Sequence, residues 1–189
     1  MSNINQLVYI VIQENKTISF PDVRQSKSFS CGASAVQAIL YYYGIEIRED
    51  KLISKLNTNS EEGTNINRIE KLFKEYNLKT KSQQLMTIDD LKSYIDKNIP
   101  VIICIQAWGD KNKDYSSYDN GHYVIAVGYD DKNIICEDPS LNDNRGSLSY
   151  QELDKRWHDI DGKNKLEHFG IVVFGKPPKF DPSIIKKIE

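Results

Sequence analysis

Residues 121–139 read GHYVIAVGYDDKNIICEDP, and this stretch decides the fold. Two apolar, β-rich runs, Tyr123 to Tyr129 and Ile134 to Cys136, are separated only by Asp130, Asp131, Lys132 and Asn133. That pattern predicts two strands of an antiparallel hairpin. Val101 to Ile105 before it and Phe169 to Phe174 after it are further short runs bounded by turn residues, so everything beyond Pro100 reads as an antiparallel sheet.

Upstream of Pro100 the periodicity is helical. Val36, Ile39, Leu40 and Tyr43 recur at helical spacing, with Ser30 where an N-cap belongs and Gly44 where a helix stops, which predicts a helix from about Cys31 to Tyr43. A second helix carries Leu52, Ile53 and Leu56, and a third carries Ile66, Ile69, Leu72, Phe73 and Tyr76 on one face. A fourth begins at Thr87, where Thr87 and Asp90 form a capping box with Asp in place of the usual Glu. The fold class is therefore α+β, a helical N-terminal half packed on a C-terminal antiparallel sheet. No repeat, low-complexity tract or Gly/Ser linker divides the chain, so residues 1–189 are expected to form one domain, ending in a charged, solvated tail from Lys176 to Glu189.

Charge narrows the function classes. Lysine and arginine number 25 against 27 acidic residues, for a net charge of −2, and the positive residues are scattered, which speaks against nucleic acid or an anionic membrane as partner. The longest apolar runs, Leu7 to Ile12 and Val101 to Ile105, fall far short of the roughly 18 residues a membrane span requires. The first lysine, Lys16, follows the early apolar run instead of preceding it, so no secretory signal is expected. The expected location is the cytoplasm, with leaderless export left open.

Three cysteines at wide spacing, Cys31, Cys104 and Cys136, make neither a disulfide framework nor a Cys-x-x-Cys zinc signature. A free cysteine is ordinarily a small buried hydrophobe. Cys104, inside Val-Ile-Ile-Cys-Ile, and Cys136, after Ile134 and Ile135, fit that description. Cys31 does not. At about 100° per residue it lies on the order of 130° from the apolar stripe of its own helix. It also occupies the first turn, where unpaired N–H groups and the positive end of the helix dipole favour a thiolate.

A nucleophilic thiolate needs a proton carrier, and histidine suits that task near neutrality. His158 follows Trp157 in a polar stretch and His168 opens the last strand, so both read as surface or strand-end residues. His122 stands between Gly121 and a strand that fixes its backbone. The acid that would orient it is Glu137 or Asp138, and hairpin register separates them: a three-residue loop puts His122 and Asp138 on one face, a two-residue loop selects Glu137. Asp130-Asp131-Lys132 permits the first, and Pro139 would end the ladder beside Asp138.

Gln25, separated by five residues from the Cys31-Gly32 pair, then GHYVIAVGYD, then Glu137-Asp138-Pro139, with Gly63-Thr64 between them, resemble the double-glycine leader peptidases that process bacteriocin precursors. The resemblance spans about residues 25 to 157. It implies a papain-like cysteine peptidase fold, with Cys31 as nucleophile, His122 as base, Asp138 as orienting acid and Gln25 as a side-chain donor to the oxyanion hole. It implies a peptide or protein substrate, no cofactor and no metal. Two departures bear on the substrate: Ser30 stands where many members have Asp, and the chain lacks the membrane helices of a fused transporter. A leader cut beside a separate transporter, an unrelated peptide, and a host or competitor protein all remain open as substrates.

Asp110, Asn112 and Asp114 match the start of a calcium loop, but Tyr115 sits where glycine is needed and Gly121 where a bidentate glutamate is needed. Residues 110–120 are read instead as a mobile loop beside His122, with no metal. Two alternatives from other classes stay open: a binding module that keeps the fold without turnover, which intact Cys31 and His122 oppose, and a thiol-dependent acyl or peptidyl transferase, which shares the acyl-enzyme.

Overall fold

The structure, a computed structural model, describes residues 15–109, 114–142, 145–185 and 187. In chain order its elements are β1 (Lys16–Thr17), α1 (Cys31–Tyr42), α2 (Glu49–Leu56), α3 (Ile66–Glu75), β2 (Lys79–Gln83) and α4 (Ile88–Asp96). There follow β3 (Val101–Gln106), β4 (Gly121–Tyr129), β5 (Asn133–Glu137), β6 (Gly146–Ser149), α5 (Tyr150–Arg156), β7 (His158–Asp161), β8 (Asn164–Glu167) and β9 (Gly170–Phe174). The fold is α+β, with five helices and one large antiparallel sheet among the described residues.

The sheet runs β2-β9-β3-β4-β5-β6, with β7 and β8 forming a separate two-stranded ribbon. Its centre, β3 with β4, is buried at every residue except Gly121, as expected for strands covered on both faces. β1 pairs with β4 at Tyr129 and Gly128, on the side of β4 that β3 leaves free beyond Ala126.

α1 is buried nearly all round, from Gly32 to Val36 and again from Ala38 to Leu40. The expected stripe of Val36, Ile39, Leu40 and Tyr43 is part of the core, but small residues let the helix sink in on its other sides as well. At Gly32 a Cβ would lie 2.6 Å from the Thr64 side chain and 3.1 Å from the Tyr123 ring, so the first turn of α1 sits tightly between α3's N-terminal approach and β4. Ser30 is the N-cap residue of α1 but makes no side-chain capping bond. The capping box at Thr87 and Asp90 is formed in both directions.

The hairpin differs from the expected three-residue loop. Tyr129 pairs with Ile134, and Asp130 N–H donates to the Asn133 carbonyl at 3.0 Å, so the turn itself holds an even number of residues. Continued unbroken, that register would bring Glu137 onto the face of His122. A β-bulge intervenes: Gly128 pairs with Ile135, yet Ala126 pairs with Cys136, leaving Val127 without a partner. The extra residue returns even-numbered residues of β4 to the face of Cys136 and Asp138, and the Val127 carbonyl is taken up by Ile18 N–H at 2.7 Å.

Candidate active site

Cys31 is the first residue of α1 and is partly open to solvent, whereas Cys104 and Cys136 are buried. Burial pushes the Cys104 thiol well above its usual pKa and the Cys136 thiol to about 12, so neither is available as a thiolate.

His122 is the second residue of β4, and its side chain is only 1% exposed. Nε2 lies 2.7 Å from Asp138 Oδ1. The same carboxylate oxygen accepts the Ser140 N–H and hydroxyl, each at 2.8 Å. Burial opposes the charge on Asp138, but the His122 and Ser140 hydrogen bonds outweigh it and hold the carboxyl below its ordinary pKa. Burial likewise opposes an imidazolium at His122; the bond to Asp138 and the neighbouring Cys31 thiol outweigh it and raise the imidazole to about 9. Nδ1 is buried and makes no fully formed hydrogen bond, which leaves it for Cys31, the other group acting on the ring. Trp108 lies over the imidazole, ring centroids 4.8 Å apart, with 57% of its own surface exposed, so it stands between His122 and solvent. Its backbone is left-handed (φ 46°), a conformation a bulky residue adopts only when its surroundings impose it.

Glu137 and Asp138 face different surroundings. Glu137 is fully buried, accepts Val23 N–H at 2.8 Å and pairs with Arg145, whose guanidinium also reaches the Phe20 and Pro21 carbonyls. It is a strut beneath residues 20–23 and does not touch His122. From that strut the chain runs to Gln25, whose backbone N–H donates to the Pro139 carbonyl at 2.9 Å, while Arg24 donates to the Ser140 carbonyl at 2.7 Å. The segments bearing Gln25 and Asp138 are thereby laced together. The Gln25 carboxamide donates through Nε2 to the Lys27 carbonyl at 2.8 Å.

A second buried cluster holds the start of β4. Gln106 Oε1 accepts Asn120 N–H at 3.0 Å, and its Nε2 donates to the His158 carbonyl and to Asp159 Oδ1. A Cβ on Gly121 would lie 2.5 Å from the Asp159 carboxylate, so only glycine fits directly before His122. Burial raises Asp159 to about 6.

His158 and His168 lie elsewhere: His158 packs on Tyr118, and His168 stacks on Trp157 beside Asp154. The loop expected to be mobile is anchored over its described part, with Tyr115 under Arg156 and Tyr118 between His158 and Lys165. Its residues 110–113 lie outside the described residues. Neither Trp108 nor Gln106 stands out in the sequence; an aromatic residue in the polar stretch after β3 was the only signal for the former.

A partly exposed thiol at a helix N-terminus, beside a strongly basic imidazole held by a carboxylate, has the parts for nucleophilic attack with proton return. The profile of the Peptidase C39 family matches residues 19–160. The chain belongs to the C39 peptidase family. It is thus a cysteine peptidase, and the match extends slightly beyond the expected 25 to 157.

Solved structures with the same fold include a C39-like peptidase from Bacillus anthracis, 19% identical, with a TM-score of 0.65, covering 87% of this chain and 99% of that one. The peptidase domain of Streptococcus ComA, a bifunctional ABC transporter of a quorum-sensing pathway, is 19% identical with a TM-score of 0.62, over 82% and 97% of the two chains. A double glycine motif protease from an AMS/PCAT transporter, solved in complex with the leader peptide, is 17% identical with a TM-score of 0.60, over 84% and 94%. No curated protein matches the chain. Among the described residues of this C39 peptidase, no helix is long and apolar enough to cross a membrane.

Proposed function

We propose that this C39 peptidase hydrolyses a peptide bond through Cys31, His122 and Asp138, with Gln25 in the oxyanion hole, and that its substrate is of the leader-peptide type. The observation that carries the reading is the His122–Asp138 contact of 2.7 Å through Nε2, which turns Nδ1 to Cys31. Cys31 Sγ attacks the scissile carbonyl carbon, and the carbonyl electron pair moves to oxygen. That oxyanion is met by the Gln25 carboxamide and by the Cys31 backbone N–H, one of the unpaired donors of the α1 N-terminus. Collapse breaks the C–N bond as Nδ1–H of His122 protonates the departing amine. Water then attacks the thioester, His122 takes its proton, and the second collapse releases the carboxylic acid and the Sγ leaving group.

The leader-type substrate rests on the likeness to the double glycine motif protease that was solved with its leader peptide. We also infer that the whole chain acts as one domain in the cytoplasm beside a separate transporter, a setting that suits three free thiols.

The test is mass spectrometry of synthetic peptides carrying Gly-Gly before the scissile bond, incubated with wild type and Cys31→Ala, with and without added glycine ethyl ester. Cleavage by wild type alone, to the free acid, is the expected result. An amide product formed at the expense of the acid would make the enzyme a transferase. Absence of any acyl-enzyme, together with a proteome-wide N-terminal labelling pattern that Cys31→Ala leaves unchanged, would make it a binding module.

A further inference from the structure

Gln25 and Cys31 are joined by the loop of residues 26–30, and one carboxylate from another helix holds that loop at both ends. Glu49, at the start of α2, accepts the Ser26 N–H at 3.0 and 3.1 Å through its two oxygens. Its Oε1 also accepts the hydroxyls of Ser30 at 2.7 Å and Ser34 at 2.8 Å. Both serines are fully buried. Ser30 lies close to the Lys27 carbonyl as well, at 3.0 Å, but a hydroxyl has one proton and the shorter bond to a charged acceptor claims it. Ser30 Oγ in turn accepts the Lys27 N–H at 3.1 Å.

The Lys27 carbonyl accepts the Ser30 backbone N–H at 3.2 Å and the Gln25 carboxamide at 2.8 Å, so Ser30 holds Lys27 through its backbone as well as its hydroxyl. Among the described residues the bond from Nε2 is the one hydrogen bond of that carboxamide, and Oε1 is buried without a partner. The direction in which the amide's second hydrogen points thus depends on where Lys27 is held, and Lys27 is held through Ser30 by Glu49.

Resting on the reading of Gln25 as oxyanion donor, we propose that Glu49 is a positioning residue for the oxyanion hole, acting through Ser30 and Lys27 on the Gln25 carboxamide. Replacing it by glutamine puts an N–H₂ where the network needs an acceptor for Ser30, Ser34 and Ser26 together. The loop then loses a tether, and a donor displaced by about 1 Å costs up to about 10²-fold in rate.

Two reactions of Cys31 separate this role from a merely structural one. Acylation by 4-nitrophenyl acetate builds a negative charge on the carbonyl oxygen; alkylation by iodoacetamide displaces iodide and builds none there. Both are followed by mass spectrometry of the Cys31 peptide of the full chain. Glu49→Gln is expected to slow acylation by roughly ten- to 10²-fold and to leave alkylation unchanged. Ser30→Ala, which cuts the same link without altering charge and serves if Glu49→Gln does not fold, should show the same split. Gln25→Ala should slow acylation further, and adding Glu49→Gln to it should cost nothing more. Equal slowing of both reactions, no slowing of either, or additive losses in the double variant would overturn the relay. Wild-type acylation in Gln25→Ala is a separate failure, removing the oxyanion role of Gln25 and the relay with it.

Discussion

The 2.7 Å contact between His122 Nε2 and Asp138 Oδ1 depends on a residue that touches neither of them. Val127 bulges out of the β4–β5 ladder, and without that extra residue the face of His122 would meet Glu137, whose carboxylate is committed to Arg145 and Val23. Two adjacent acids are thereby divided, Glu137 to Arg145 and Val23 and Asp138 to His122.

The division sets a pH dependence. In the proposed mechanism His122, raised to about 9, supplies the proton for the leaving amine, so kcat/KM should fall as pH rises through about 9. Asp138→Asn removes the charge that favours the imidazolium, and its alkaline limb should move down, towards the ordinary histidine value of about 6.5. The same linkage applies to folding. A raised histidine pKa contributes stability that is fully present below about pH 6.5 and lost as pH rises through about 9. An Asp138→Asn profile that still turns at the wild-type pH would mean that Asp138 does not act on His122.

Glu137 should behave oppositely. Arg145→Ala leaves a fully buried carboxylate without its cation, which costs about 3–5 kcal/mol of stability and should appear as a large fall in Tm. Glu137→Gln in that background removes the stranded charge and should restore part of the loss, whereas Asp138→Asn should lower turnover far more than Tm. Thermal unfolding of the single and double variants decides this, and a double variant no more stable than Arg145→Ala would dismiss the pairing as a stability element.

Much of this arrangement was legible in the sequence because it rests on periodicity. Val36, Ile39 and Leu40 mark a helix by spacing alone, and Val101 to Ile105 mark a strand by composition alone. The edge strand β2, Lys79–Gln83, is polar along its whole length and carries no such mark; it becomes a strand through its pairing with β9. The ribbon of β7 and β8 has only Ile160 and Leu166 as apolar residues. A three-residue loop predicts Asp138 on the face of His122, while the chain uses an even turn and a bulge that together give the same parity. Glu49 and Trp108 are recognised only through contacts that spacing does not encode.

Gly121 offers a test of how β4 is held. A Cβ there would sit 2.5 Å from the Asp159 carboxylate, which is itself fixed by Gln106. Overpacking of this kind costs about 1–3 kcal/mol, and because the next residue is His122, Gly121→Ala should depress turnover as well as Tm. Asp159→Ala in the same chain opens the space and should recover part of both. Wild-type turnover in Gly121→Ala would show that the start of β4 tolerates a shift that the site does not feel.

The last expectation concerns the three thiols and needs no substrate. Cys31 is the one that solvent reaches, at the N-terminus of α1 and beside an imidazole that is a cation up to about pH 9. Cys104 and Cys136 are buried, and burial drives both thiols away from the reactive thiolate form. Limiting iodoacetamide should therefore alkylate Cys31 nearly alone in the folded protein. His122→Ala removes the cation beside Cys31, so the reaction at Cys31 should slow. Digestion and mass spectrometry of the three cysteine peptides give the answer directly. Equal labelling of Cys104 or Cys136 without denaturant, or an unchanged Cys31 rate in His122→Ala, would mean that the imidazole does not activate this thiol.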